Sequence, residues 1–341
     1  MIKKIKVIII IIMTFCCVGF SYLSLEVFEY PSYFPKPIYD LIDKPLSKQK
    51  IELGKKIFYD PILSADNSVS CASCHSSYNA FAHTDHDLSH GIEGRIGNRN
   101  SMALMNLAWN SSFMWDGGIN HIELQALAPI SSENEMGSSL NEVVAKLNAS
   151  IKYKGLYYNS YQDSLVTGQK TLLALTQFIV MLNSYNSKYD KYIINEDKGL
   201  FTQQEKNGLN IFRNHCTSCH TEPLFTNNEF HNNGLTLDPY LKDYGRMRIT
   251  NKPEDSLKFK VPTLRNIQFT PPYMHDGRFE NLKAVITHYN SGITHSSTLS
   301  ESLNNNLQLT HKEEVDLLVF LRTLSDTEFL FNNRFSYPHI N

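Results

Sequence analysis

The sequence has few cysteines, little net charge and no extended alternation of polar and apolar residues. Its 341 residues carry a formal net charge of −2, which argues against a nucleic-acid-binding protein, since such a protein needs a basic surface. Of six cysteines, four belong to two short motifs and two, Cys16 and Cys17, lie near the N-terminus, so none remains for a structural disulfide. Because period-two alternation is lacking, an extensive sheet is not expected.

An apolar run lies at the N-terminus. Three lysines precede 14 largely apolar residues, from Val7 to Phe20, which is the layout of a secretory signal. The run is shorter than the roughly 20 residues that a membrane-spanning helix needs. We expect residues 1–25 to be a signal peptide or N-terminal anchor, and the mature protein to be periplasmic. An uncleaved membrane tether and a lipid on Cys16 or Cys17 are alternatives that the sequence leaves open.

The pattern Cys-x-x-Cys-His occurs twice, in Cys71-Ala-Ser-Cys74-His75 and Cys216-Thr-Ser-Cys219-His220. Two thiols three residues apart can attach the two vinyl groups of one haem, and the adjacent histidine can bind the iron as its proximal ligand. Four thiolates around one zinc ion are the alternative. Cys216 lies 145 residues after Cys71, however, whereas zinc-binding pairs are usually about 12 to 20 residues apart. We therefore predict two covalently bound haem c groups.

The surroundings of the two motifs repeat at a constant offset of 160 residues. Leu104–Leu107 matches Leu264–Ile267, and Phe113–Gly117 matches Tyr273–Gly277. Such self-similarity indicates a duplicated unit. The predicted fold is therefore mainly α, with two cytochrome c-like haem domains related by internal duplication, long loops and little sheet.

Apolar periodicity and capping patterns predict four main helices, over Lys48–Phe58, Thr171–Tyr185, Thr202–Phe212 and Thr310–Leu321. Two of them lead into the haem motifs, and the last should cross the first helix of its own unit. A polar stretch places the domain boundary near Lys198, which gives an N-terminal domain over 45–197 and a C-terminal domain over 198–335. The loop-rich stretch 227–262 is expected to pack over the second haem.

The sixth ligand of each iron decides what each haem can do, because an iron with two strong protein ligands transfers electrons and an open one can bind a small oxidant. At the same offset of 160, Pro129 pairs with Tyr289 on a predicted helix that follows each Asp-Gly turn. Proline cannot bind iron, whereas tyrosinate can. If this position faces the haem, the first haem is open there and the second is closed.

At this point the sequence resembles the bacterial di-haem cytochrome c peroxidases and their MauG-type relatives, from about residue 45 to about residue 330. The motifs that carry the resemblance, beyond the haem sites, are Gly97–Ser101, Trp115–Gly117, the segment from Glu123 to Met136, Val261–Asn266 and Tyr273–Gly277. In that family the N-terminal haem reacts with peroxide and the C-terminal haem passes electrons to it.

The resemblance implies roles for residues around the first haem. Glu135 would move a proton between the two oxygens of peroxide, as a base and then an acid, and Gln125 would orient the peroxide. His90 matches a histidine that occupies the distal side of this haem in the resting enzyme, with His83 and His86 as nearby competitors.

The resemblance also assigns residues between and beyond the haems. Trp115 matches a tryptophan that lies between the two haems and would relay electrons. His275 would be a structural or relay residue. Tyr289 stands where peroxidases of this family have methionine and MauG-type proteins have tyrosine. The alternatives for this sixth ligand are Met274, Met247 and His288.

A calcium ion between the domains is implied as well, with the side-chain oxygen of Asn100 and backbone carbonyls of Thr270 and Pro272 as hard oxygen ligands. The implied substrate is hydrogen peroxide and the implied donor a small cytochrome c or cupredoxin. A homodimer is left open. The expected activity is cytochrome c peroxidase, and the alternatives are a MauG-type oxidase of a protein substrate and a non-catalytic electron carrier.

Overall fold

The computed structural model of the protein describes residues 24–196 and 199–338. The predicted signal segment therefore lies outside the described residues, apart from Ser24 and Leu25. The domain boundary predicted near Lys198 also lies outside them. No helix within the two described ranges is long and apolar enough to cross a membrane.

The chain is mainly helical, as predicted. The α-helices are α1 Lys48–Tyr59, α2 Cys71–Cys74, α3 Leu127–Ser131, α4 Leu140–Ala149, α5 Ile151–Tyr161, α6 Gly168–Val180, α7 Lys188–Ile193, α8 Gln203–His215, α9 Met247–Thr250, α10 Leu282–Thr287, α11 His311–Arg322 and α12 Thr327–Leu330. Strands β1 Phe230–His231 and β2 Phe259–Lys260 pair antiparallel, with Phe230 opposite Lys260. These strands join the two ends of the stretch 227–262.

Each half is built on one crossing of two helices, where a glycine allows the backbones to touch. A Cβ atom on Gly54 of α1 would lie 1.9 Å from the carbonyl oxygen of Ala174 in α6. A Cβ atom on Gly208 of α8 would lie 2.0 Å from the carbonyl oxygen of Asp316 in α11. The final helix thus crosses the first helix of its unit, as predicted, and the same crossing exists in the first half.

The duplication also extends to the backbone of the segments that follow the haem motifs. Asn106 and Asn266 both have φ of 55°, in the left-handed region, and each begins a short 3₁₀ turn. The turn Phe113–Ile119 is closed by an antiparallel bridge, and the turn Tyr273–Phe279 by an equivalent one. The repeat read from the sequence at an offset of 160 residues is therefore a repeat of structure.

Two predicted helices have different bounds in the structure. The helix expected over Thr171–Tyr185 begins at Gly168 and ends at Val180, and the apolar residues after it continue as buried non-helical chain. The helix expected to reach Tyr289 ends at Thr287 and continues as a π-helical turn over His288–Gly292. The capping boxes at Thr202 and Thr310 are both confirmed.

Two hydrophobic cores correspond to the two halves. The first surrounds α1 and α6, and the second surrounds α8 and α11. Residues near the end of the chain do not belong to the second core: Phe329, Leu330 and Phe335 pack into the first. The Tyr59 hydroxyl on α1 donates to the carbonyl of Phe335 at 2.7 Å, which fixes this return crossing.

Polar contacts join the halves at a buried position. The Arg99 guanidinium donates to Asp116 of its own half at 2.6 Å and, through two nitrogens, to Asp243 of the other half at 2.6 and 2.9 Å. The Asp243 side chain is only 1% exposed. Burial would raise the pKa of Asp243, but the hydrogen bonds and charge of Arg99 outweigh it and lower that pKa below its ordinary value.

Candidate haem sites and the cavity between them

The two motif histidines are held in the same way. Nδ1 of His75 donates to the carbonyl of Phe81 at 2.7 Å, and Nδ1 of His220 donates to the carbonyl of Phe225 at 3.0 Å. Burial lowers the pKa of each imidazole to about 4, so both rings are neutral near pH 7. A neutral ring that donates through Nδ1 presents the Nε2 lone pair to a metal, which suits a proximal haem ligand.

The motif cysteines are positioned by short helices. Cys71 begins the single turn α2, whose capping box joins Ser70 and Ser73, and Cys216 follows the end of α8. All four motif thiols are free and partly buried. Among the described residues, no group of three or more His, Cys, Asp or Glu side chains is arranged to hold a metal ion. The geometry therefore fits covalent haem attachment and gives the zinc alternative no support.

A cavity runs from the second motif toward the first. Its lining includes Cys216, Cys219 and His220 at one end and Gln125 with residues 100–107 at the other. The backbone of Met102, in that segment, contacts the His75 ring. The lining is mostly apolar, as expected of a space that encloses a porphyrin.

Of the predicted catalytic side chains, Glu135 lies near Cys74 of the first motif, and Gln125 lines the cavity. The Oε1 atom of Gln125 is buried and has no hydrogen-bond partner within the described part of the chain. Glu135 is half-buried, and burial raises the pKa of its carboxyl above the ordinary value. Burial also raises the pKa of the Cys74 thiol, and the nearby Glu135 carboxylate raises it further. Gln125 thus presents an unpaired acceptor to the cavity, and Glu135 presents a carboxyl of raised pKa near Cys74.

The loop that carries His90 packs directly on Glu135. The Ile92 amide donates to the Glu135 carbonyl at 2.8 Å, and the His90 carbonyl lies 3.5 Å from the Cys74 sulfur. The His90 ring stacks on that of His86, with centroids 4.0 Å apart, and His86 stacks on His83 at 5.4 Å. The structure therefore brings all three candidate histidines into one column at the first site.

Trp115 and His275 lie where the halves meet. The Trp115 indole donates to the Asn100 carbonyl at 2.8 Å, and its ring is 9% exposed. The His275 ring stacks on Phe259 at 3.7 Å, and its carbonyl accepts from the Asn100 amide at 2.7 Å. Both rings line the cavity that contains the second motif.

The candidates for a sixth ligand at the second haem fall into two pairs. Tyr289 and Met274 line the cavity together with the motif cysteines. The side-chain amide of Asn233 lies between them, 3.3 Å from the Met274 sulfur and 3.4 Å from the Tyr289 hydroxyl. Burial raises the pKa of Tyr289 to about 12.

The second pair faces elsewhere. Nε2 of His288 is 2.9 Å from the Asn233 carbonyl, and His288 lines a separate pocket. Met247 lies in α9, away from the cavity lining. The structure thus brings Tyr289 and Met274 to the second haem site and does not bring His288 or Met247 there.

The residues expected to bind calcium also meet. Asn100, Thr270 and Pro272 all line the cavity near the junction of the halves. The Asn100 amide nitrogen donates to the Asp87 carbonyl at 2.9 Å, which leaves the side-chain oxygen available. Among the hydrogen bonds of the described residues, none ends on the carbonyl oxygen of Thr270 or Pro272. Such uncharged oxygen donors fit Ca²⁺, which remains a prediction.

Sequence reasoning missed two side chains of the cavity, Asn233 and Lys260. Both lie in or beside the loop-rich stretch 227–262, where neither periodicity nor a motif singles out a residue. For Lys260, the available signal was its position directly before the motif Val261–Asn266.

Comparisons with known proteins agree with this geometry. Residues 48–198 match the family model described as di-haem cytochrome c peroxidase. The methylamine utilization protein MauG of Methylophilus methylotrophus is 31% identical over 305 residues, which cover 88% of this chain and 88% of that protein. The cytochrome c551 peroxidase of Nitrosomonas europaea is 34% identical over 248 residues, or 71% of this chain and 73% of that protein.

A solved structure shows the same fold over nearly the whole chain. It is the crystal structure of a MauG-like protein associated with microbial copper homeostasis, with a TM-score of 0.81 and 29% identity. The alignment covers 92% of this chain and 99% of that one. The protein described here therefore belongs to the di-haem cytochrome c peroxidase family, which implies two haem c cofactors.

Proposed function

We propose that this protein is an exported, periplasmic peroxidase that reduces hydrogen peroxide to two molecules of water, with two protons and two electrons. The electrons come from a small cytochrome c or cupredoxin and enter at the half that contains His220. Reduction takes place beside His75. The observations that carry the proposal are the unpartnered buried oxygen of Gln125, which lines the cavity, and the raised carboxyl pKa of Glu135, which lies near Cys74.

The haems, when bound, supply the iron that peroxide approaches and the electrons that reduce it. The chain supplies the proton chemistry. Glu135 takes the proton from the inner oxygen of peroxide and returns it to the outer oxygen, so that the outer oxygen leaves as water. Gln125 orients the peroxide through its side-chain amide. The pair has no such task in a non-catalytic carrier.

Trp115 is proposed as the relay between the halves. Its ring lines the cavity and its indole nitrogen donates to the Asn100 carbonyl, while its backbone carbonyl accepts from the Lys260 amide. Tyr289 is proposed as the sixth ligand of the second haem and His90 as a ligand of the first in the resting state. Asn100, Thr270 and Pro272 are proposed to hold one calcium ion.

The test is the rate of peroxide consumption by the holoprotein with a reduced small c-type cytochrome. We expect Glu135→Gln to reduce this rate by about 10²–10⁴-fold, the usual contribution of a general acid–base group. Glu133→Gln is the matched control, because Glu133 is an exposed carboxylate two residues away. Equal rates for Glu135→Gln and the wild type, or no turnover by the wild type with any small donor, would contradict the proposal.

A second candidate is a MauG-type oxidase, which uses peroxide to remove electrons from a protein substrate. Two observations favour it: Tyr289 rather than a lone methionine faces the second haem site, and proteins named MauG are among the relatives. Stoichiometric peroxide added to the oxidised holoprotein, without any donor, distinguishes the two. A long-lived oxidised state of the protein that a reduced small cytochrome does not reduce supports the oxidase. Rapid reduction of that state by the cytochrome supports the peroxidase.

A further inference from the structure

Lys260 is a buried lysine at the junction of the two halves. It is the second residue of β2, and its backbone amide donates to the Trp115 carbonyl at 2.7 Å. The residue is only 3% exposed, and it lines the cavity between the haem motifs. The ammonium group at the end of this side chain therefore faces the haem-binding cavity and not bulk solvent.

No carboxylate of the described residues pairs with the Lys260 ammonium, and no hydrogen bond from it is found among them. Lys258, two residues earlier on the same segment, contrasts with it, because its ammonium lies 3.3 Å from Asp255. Burial lowers the pKa of Lys260 to about 8, which is what a cation without a partner undergoes. A buried charge of this kind is costly unless something pairs with it.

The lining of the cavity identifies the missing partner. Apart from Lys260, the residues that line it include no Asp, Glu, Lys or Arg. A haem carries two propionate groups, so each haem that enters this space brings two carboxylates. Among the described residues of the lining, Lys260 is thus the only Lys or Arg side chain, and its charge is opposite in sign to that of the propionates.

The position of β2 selects one of the two haems. The chain continues from Lys260 through Val261 to Pro262, whose backbone contacts the His220 ring. The same segment follows the half of the cavity that contains Cys216 and Cys219. Side chains of this strand therefore lie beside the haem of the second motif.

We propose that the Lys260 ammonium forms an ion pair with a propionate of the haem attached at Cys216 and Cys219. The inference rests on attachment of the haems and not on which substrate the protein oxidises. Lys260 acts as a positioning residue: it fixes that propionate, and its positive charge stabilises the reduced haem relative to the oxidised one.

The experiment is a spectroelectrochemical titration of the holoprotein that resolves the two haems, with Lys260→Met and Lys260→Arg. We expect Lys260→Met to lower the potential of the second haem by at least a tenfold change in the ratio of oxidised to reduced protein, which is ~59 mV for one electron. Lys260→Arg should keep the potential of the second haem close to the wild-type value, because arginine keeps the positive charge. Lys258→Met is the matched control and should leave both potentials unchanged.

The propionate bands of the resonance Raman spectrum provide a second measurement, which a merely structural role would not move. They should change in Lys260→Met for one haem and remain wild-type in Lys258→Met. Unchanged potential and unchanged bands in a fully loaded Lys260→Met protein would overturn the proposal, and so would a shift confined to the first haem. If Lys260→Met does not fold, Lys260→Gln replaces it. The redox-difference infrared spectrum of wild-type protein with ¹³C-labelled haem propionates then tests the ion pair. Four propionates with equivalent carboxylate bands would overturn the proposal.

Discussion

The two haem halves share a scaffold but differ in what surrounds their haem motifs. Both have a helix crossing at a glycine, a histidine ring bonded to a backbone carbonyl and an asparagine-led turn. The first motif is covered by loops that carry titratable groups, namely Glu135 and a column of three histidines. The second is lined by helical residues and by the segment 259–264, with Tyr289 and Met274 facing the cavity. Duplication has kept the frame that holds a haem and altered the groups that decide its reactivity.

The equivalent positions Gln125 and Val285 illustrate the difference. They are 160 residues apart, and both line the cavity. In the first half the position carries an amide with an unpartnered oxygen, and in the second it is apolar. An apolar group cannot orient peroxide by hydrogen bonding, so this position supports the proposal that peroxide is reduced in the first half.

The largest expected effect comes from the contact that joins the halves. Arg99→Met should lower the free energy of unfolding by about 3–5 kcal/mol near pH 7, because it leaves Asp243 buried without its main partner. The folded pKa of Asp243 lies below the unfolded value of about 4, so the stabilisation is complete above that pH and is lost as the pH falls through the folded pKa. Urea unfolding at several pH values measures it.

The control for this prediction is Arg95→Met, which removes an exposed ion pair with Glu93 and should cost at most about 1 kcal/mol. A loss of similar size in both variants would contradict the prediction. The prediction would also be contradicted if the difference in free energy of unfolding between the wild type and Arg99→Met did not become smaller below about pH 4.

The next effect tests whether the two helix crossings are equivalent. Gly54→Ala and Gly208→Ala should each destabilise the protein by about 3 kcal/mol, because each new Cβ would meet a backbone carbonyl at 2 Å or less. Gly155→Ala, in α5, is the matched control: nothing lies within 4 Å of its Cβ, and it should stabilise by about 0.5–1 kcal/mol. Thermal unfolding of the three variants gives the result, and a large difference between the first two would break the equivalence.

A third prediction concerns the sixth ligand of the second haem. Tyr289→Met should raise the potential of that haem by at least ~59 mV, a tenfold change in ratio, because a thioether favours reduced iron more than tyrosinate does. Met274 is the other side chain that contacts Asn233, and Met274→Leu should change the potential of the second haem much less. Redox titration with optical detection measures both. The opposite order would identify Met274 as the ligand.

The smallest effect compares the starts of the first helices of the two halves. Thr202 caps α8 with a side-chain hydrogen bond to the Glu205 amide, whereas Ser47 makes no such bond at α1. Thr202→Ala should therefore cost about 1 kcal/mol and Ser47→Ala clearly less. The free energy of unfolding measures the difference, and equal costs would show that the cap itself is unimportant.

Much of the fold could be predicted from local patterns. The duplication, the helices at Lys48 and Thr202, the final helix and the near absence of sheet follow from periodicity, capping boxes and repeated motifs. The end of α6 was misplaced because Leu182 continues the apolar pattern as buried chain without helical hydrogen bonds. Helices α4 and α5 were missed, although the capping box of Ser139 and Glu142 was a visible signal for the first of them.

The site was less predictable wherever contacts join distant segments. The motif residues and Gln125 stand in recognisable patterns, and the structure places Gln125 and the second motif around one cavity. Nothing local distinguishes Asp243 from other loop aspartates, because its partner Arg99 lies 144 residues away. Asn233 and Lys260 were missed for the same reason: their importance comes from the space they face and not from the residues next to them.

The return of residues 329–335 to the first core has a consequence for biogenesis. The Lys55 ammonium, on the first helix, donates to the Arg334 carbonyl at 2.7 Å, and Phe329 and Phe335 complete the packing around α1. These residues are synthesised after the rest of the second half. The core of the first half can therefore be completed only when almost the whole chain has been made, although Cys71 and Cys74 are made early.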